Sequence, residues 1–221
     1  MQESGREVMV NPFGTLFNPV SIANSIRRLE SGEPFREEEC VRLGAGSDLW
    51  GSFSHYTKFA RPTKEEFLDN ANRALEEASA FYRNCSRIVV TFGTAFVFRH
   101  IERDVIVSNC LKRPAAEFER FPLSVEQIVS LYRDLAPDRE IVFTVSPVRH
   151  LADTAHGNNL SKAILLLAAD RLVCESPAKR SYFPAYEILL DELRDYKWYA
   201  QDKVHPSEEA IEYISEKFLS L

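Results

Sequence analysis

The residues best suited to chemistry lie near the C-terminus, in Asp202-Lys-Val-His205-Pro206-Ser207. An Asp three residues before a His, in the turn that enters a helix, can bring its carboxylate to the imidazole. The carboxylate then orients the ring and stabilises its protonated form, as in hydrolases that activate a hydroxyl nucleophile. Pro206 stiffens the turn and suits the start of a helix. Alone, the Asp-x-x-His spacing also fits an ordinary surface pair. The hydroxyl is the harder part to find. Ser4 lies in Glu3-Ser4-Gly5, which does not read as a nucleophile turn, and Ser146 is followed by Pro147, which removes a backbone donor.

A second polar cluster is His150-x5-His156-Gly157-Asn158-Asn159-x-Ser161-Lys162. Between a buried strand and an apolar helix such groups require hydrogen-bond partners. Two readings stay open. In one, Asn158 and Asn159 shape a turn and Ser161 caps the helix; in the other, these residues contact substrate. A third cluster, Ser181 to Tyr196, begins as an aromatic strand end limited by Pro184. Its Glu187, Asp191, Arg194 and Asp195, spaced three or four apart, read as a salt-linked helical face. His150, His156 and His205 have no metal-ligand spacing, so no metal is expected. Neither a phosphate-binding loop nor a Gly-x-Gly-x-x-Gly turn occurs, and no cofactor is expected.

These residues need a scaffold. Ile88–Phe92 and Ile141–Val145 are short β-branched and aromatic runs that stop at Gly93 and Ser146-Pro147, as buried strands of a parallel sheet do. Glu7–Val10 reads as a further strand. Helices are expected from a Thr63 cap to about Tyr82, from Ser124 with Gln127 in capping-box spacing to about Leu135, and over Leu160–Cys174. Another begins at Ser207 and turns Ile211, Ile214 and Phe218 inward. Strands alternating with helices predict an α/β fold, a three-layer α/β/α sandwich with a mostly parallel sheet in which 88–92 and 141–145 are central. Residues 31–60, punctuated by glycines, read as a loop insertion at one end of the sheet. Ligands of such sheets bind at the carboxyl ends of the strands. Gly14, Gly93, Asn109, His150, Asn158 and His205 mostly follow a strand or begin a helix, and are expected to line one pocket.

Composition excludes several classes. The chain of 221 residues carries a formal charge of −6, with 45% hydrophobic residues, so a nucleic-acid partner is not expected. No apolar run can span a bilayer and the N-terminus lacks a secretory pattern, which predicts a single cytoplasmic domain. Self-association is left open. The four cysteines, Cys40, Cys85, Cys110 and Cys174, show no paired spacing and are expected to be buried thiols.

Taken in order, eight segments resemble the GSCFA family of SGNH-like hydrolases. They are Asn11-Pro-Phe-Gly-Thr-Leu-Phe-Asn18-Pro19, Thr91-Phe-Gly-Thr-Ala-Phe-Val97, Ser108-Asn109-Cys110, Thr144-Val-Ser-Pro-Val-Arg-His150, Gly157-Asn-x-Leu-Ser-Lys162, Tyr182-Phe-Pro-Ala-Tyr-Glu187, Asp191-Glu-Leu-Arg-Asp-Tyr196 and Asp202-Lys-Val-His-Pro206. The resemblance covers about Val10 to Phe218. It implies ester hydrolysis or acyl transfer on a small-molecule, carbohydrate or lipid ester, with His205 as base and Asp202 as its carboxylate. It also places Gly14 and Gly93 near the oxyanion, with Asn109, His150 and Asn158 as substrate contacts. The family's Gly-Ser-Cys-Phe-Ala segment, which bears the nucleophilic serine, has no counterpart, and Asn-Cys-His-Lys appears as Asn109-Cys110-Leu111-Lys112. The domain is therefore expected to be N-terminally incomplete or to lack its nucleophile, which leaves a non-catalytic ligand-binding module as the alternative. An incomplete domain should also show an unfinished or covered sheet edge.

Overall fold

In the computed structural model, residues 7–220 are described. The first helix, α1 (Pro19–Ser31), starts where Asn18 accepts the Ser21 N–H, and it stops at Gly32, whose φ of 64° is left-handed. A small hairpin, β1 (Cys40–Arg42) with β2 (Trp50–Ser52), follows. Helix α2 (Lys64–Asn84) begins at the expected Thr63 cap, which Glu66 completes as a capping box. Strand β3 (Arg87–Phe92) leads into three antiparallel strands, β4 (Phe96–His100), β5 (Val105–Val107) and β6 (Phe118–Pro122). Then come α3 (Val125–Tyr132), started by the Ser124–Gln127 box, β7 (Glu140–Val145) and α4 (Thr154–Glu175). Strand β8 (Arg180–Phe183), the short α5 (Ala185–Glu187) continuing as a π-helical turn, and α6 (Glu208–Leu219) complete the order.

The fold is mixed α/β, but parallel pairing is confined to β3-β7-β8; the other five described strands are antiparallel. The expected mostly parallel sheet is corrected accordingly. Short links decide it: only Ile101–Asp104 separates β4 from β5, too few residues for a parallel crossover. Strand β7 is central, as expected. Its Ile141, Phe143 and Val145 enter a core shared with α1, α3 and α4, while Val142 packs with Phe183, Ile188 and partly buried residues of α6. Strand β3 is instead an edge among the described residues, and Val89 is 41% exposed. The register Phe92↔Val145 and the bond from the Gly93 N–H to the Phe17 carbonyl show that Arg87, Val89 and Thr91 turn their backbone groups away from β7.

Several local expectations change. Residues 7–10 form no strand. Ile211 is 53% exposed, whereas Ile214 and Phe218 pack as expected. Within residues 31–60, Phe35, Cys40, Val41, Leu43 and Phe53 contribute to two hydrophobic cores. Among the thiols only Cys40 is buried, and Cys174 is exposed. Asn158 and Asn159 lie inside α4 rather than in a turn before it. Among the described residues, Glu187, Asp191, Arg194 and Asp195 do not pair into a salt-linked face, because the chain leaves the helix at Arg194 (φ 50°) and Asp195 caps the next turn. No helix among the described residues is long and apolar enough to cross a membrane.

Candidate functional site

Each parallel strand delivers its chain to the same end of the sheet. Gly93 and Thr94 follow β3, Ser146–His150 follow β7, and the face of α4 that carries Asn158, Ser161 and Lys162 meets both. Three short contacts fix this arrangement. Asn158 Oδ1 accepts the His150 N–H at 3.0 Å. Ser161 Oγ accepts the Ala95 N–H at 2.8 Å, so it ties down the start of β4 rather than capping a helix. The Lys162 ammonium donates to the Gly93 carbonyl at 2.6 Å and to the Ser146 carbonyl at 2.7 Å.

The Asp202–His205 turn joins this end through the loop after β7, because the Arg149 N–H donates to the Val204 carbonyl at 3.2 Å. The Arg149 guanidinium also lies 4.7 Å above the Tyr199 ring and donates to its hydroxyl. Within the turn, Asp202 Oδ2 stands 2.6 Å from His205 Nδ1, while Oδ1 accepts the N–H groups of Val204 and His205. The His205 backbone bond, its ring and the Val204 N–H hold the Asp202 carboxyl down to about 2. Ser207 then caps α6 by accepting the Ala210 N–H. Both members of the pair are open to solvent, with side chains 61% (His205) and 50% (Asp202) exposed. Among the described residues, the His205 ring forms a hydrogen bond with Asp202 alone.

Of the expected site residues, Gly93, His150 and Asn158 are brought together. Burial first, then the Lys162 charge, lowers the His150 imidazole pKa, against opposition from Asp153 and a hydrogen bond to the Gly93 backbone. Gly14 and Asn109 instead meet the hairpin segment. Gly14 backs onto Tyr56, and the Asn109 amide donates to the His55 carbonyl. The donors expected near the oxyanion are already engaged, the Gly14 N–H with Asn11 and the Gly93 N–H with Phe17, and the Asn109 amide is held by His55. His156 lies in the first turns of α4. No group of three or more His, Cys, Asp or Glu among the described residues could hold a metal.

Sequence reading overlooked His55. It is buried, with Nδ1 2.7 Å from Ser52 Oγ and Nε2 without a partner. The rings of Phe13, Phe35, Phe59 and Phe67 surround it at 4.5–5.4 Å between centroids. Burial, with a smaller push from Arg28, lowers its pKa to about 3. Its signal was the Ser52-x-x-His55 spacing among aromatics. Lys162 was noticed only as one of a polar cluster. Its signal was a lysine inside the apolar run from Leu160 to Cys174.

The model of the GSCFA family matches residues 1–218. No curated protein and no solved structure matches the chain.

Proposed function

The chain belongs to the GSCFA family, and from that premise we propose that it hydrolyses or transfers an ester-linked acyl group by SGNH-like, Ser-His-Asp-type chemistry. The observation that carries this reading is the 2.6 Å contact between Asp202 Oδ2 and His205 Nδ1, in a turn bonded to the loop after β7. With Nδ1 occupied by the carboxylate, Nε2 is the nitrogen left to take a hydroxyl proton. Asp202 is ionised at neutral pH, so it stabilises the cation formed when that proton is accepted. The substrate would be a small-molecule, carbohydrate or lipid ester held by His150 and Asn158. The oxyanion would lie near Gly14 and Gly93, stabilised by donors other than their own engaged N–H groups.

A second reading, a binding module that holds an acylated ligand without turnover, is favoured by one observation. No serine hydroxyl among the described residues hydrogen-bonds His205. The deciding experiment assays aryl-ester hydrolysis by the full gene product and its His205→Ala variant. The enzymatic reading expects turnover that the substitution abolishes while unfolding stays cooperative. Turnover that survives His205→Ala overturns it, and binding without turnover supports the second reading.

A further inference from the structure

Lys162 is the most deeply buried ionisable group at the carboxyl end of the parallel sheet, with 1% of its surface exposed. An ammonium offers three donors and no acceptor. Two of its protons go to backbone carbonyls, those of Gly93 and Ser146. None of the ion pairs among the described residues includes Lys162, and burial is the force that lowers its pKa to about 8. A buried cation without an acid partner costs free energy that an apolar side chain of the same length would not. What lysine adds there is reach. One side chain spans from the middle of α4 to the residues that immediately follow β3 and β7, whose last paired residues are Phe92 and Val145.

The neighbours of Lys162 on α4 work on the same loops. Asn158, one turn earlier on the same helical face, holds the His150 N–H, and Ser161 holds the Ala95 N–H. We propose that Lys162 is a positioning residue of the candidate site, locking the ends of β3 and β7 together and setting the electrostatic environment of His150. The proposal rests on the reading that these strand ends form the site. Among the described residues, the charges that act on the His150 imidazole are those of Lys162, Asp153 and Arg120. The first and last repel an imidazolium, and Asp153, itself paired with Arg120, attracts one. Removing the Lys162 charge therefore leaves the attraction less opposed.

The test is a proton NMR titration of the histidine rings in the full chain, beside Lys162→Met and Lys162→Arg. Lys162→Met should raise the His150 midpoint by about half a pH unit or more, and Lys162→Arg, which keeps the charge, should leave it close to the parent value. A His150 midpoint unmoved by Lys162→Met overturns the proposal, because a lysine that only ties strand ends would give that result. Amine acylation of the unaltered folded chain provides a measurement independent of whether the variants fold. Exposed Lys179 and Lys203 should be modified while Lys162 resists until the chain unfolds. Modification of Lys162 at the rate of those two also overturns it. Neither measurement involves turnover, so their failure and the failure of the hydrolase reading are separable.

Discussion

The Asp202 carboxylate binds His205 twice, through the ring Nδ1 at 2.6 Å and through the backbone N–H at 3.0 Å. One oxygen fixes the tautomer of the imidazole while the other fixes the turn that presents it.

Asp202→Asn is expected to keep the turn, because an amide oxygen can still accept the two backbone N–H groups. It should not keep the chemistry. The amide cannot stabilise an imidazolium and can reverse the tautomer, so ester turnover by the full gene product should fall by up to about ten-thousandfold. Retained turnover with an altered KM would place Asp202 outside the mechanism. Because folding holds this carboxyl at about 2, below its ordinary value, its stabilising effect is present above about pH 4. It is lost as the pH falls toward 2, and Asp202→Asn should show no such loss.

His55 predicts acid sensitivity from a different cause. Its folded pKa of about 3 lies far below the ordinary 6.5, so the unfolded chain binds the extra proton throughout that window. Stability contributed by the neutral ring is full above pH 6.5 and should fall by about 1.4 kcal/mol for each pH unit below it. His55→Phe fits a site already walled by phenylalanines, and Ser52 keeps the Ser54 N–H as a donor. Urea unfolding at pH 7 and pH 5 should show a shallower decline for the variant. Parallel declines would mean that His55 is protonated in the fold at little cost.

Gly14 has a φ of 86°, which L side chains rarely adopt, and its N–H closes a turn on the Asn11 carbonyl at 2.8 Å. A Cβ there would overlap the Cβ of Tyr56. Tyr56 cannot simply move aside, because its N–H is bonded to the Phe13 carbonyl. Gly14→Ala should therefore destabilise the chain by more than the roughly 1 kcal/mol of the left-handed conformation alone. Equilibrium unfolding measures it, and an unchanged midpoint would show that this turn opens freely.

Much of this architecture was legible because its causes are local. The Thr63 cap and the Ser124–Gln127 box start their helices where the sequence placed them. The Asp202–His205 pair forms within three residues and needs nothing from elsewhere. Edges and burial were not legible in the same way. The apolar run 88–92 announces a strand but not how many neighbours it has, and only β7 pairs with it among the described residues. Lys162 reads only as one member of a polar cluster until its acceptors are known, and these lie 69 and 16 residues away. The cage of His55 is likewise assembled from Phe13, Phe35 and Phe67, on three separate segments.

Lys162 gives an alkaline counterpart to the His55 prediction, with the opposite half of the pH scale in play. Its folded pKa of about 8 lies below the ordinary 10.5, so between those values the unfolded chain holds a proton that the folded chain has released. Stability must then rise with pH across that window. The two carbonyl acceptors favour the charged form and work against the shift, so the rise is at most about 3 kcal/mol. His150 does not enter, because its titration lies below pH 6.5. Surface groups that titrate at alkaline pH act alike in the parent chain and in Lys162→Met, and cancel in their difference. Urea unfolding of both chains at pH 7.5 and pH 10 should show the parent gaining stability relative to the variant. A difference independent of pH would mean that Lys162 keeps its ordinary basicity despite its burial, held by Gly93 and Ser146 as firmly as water holds it outside.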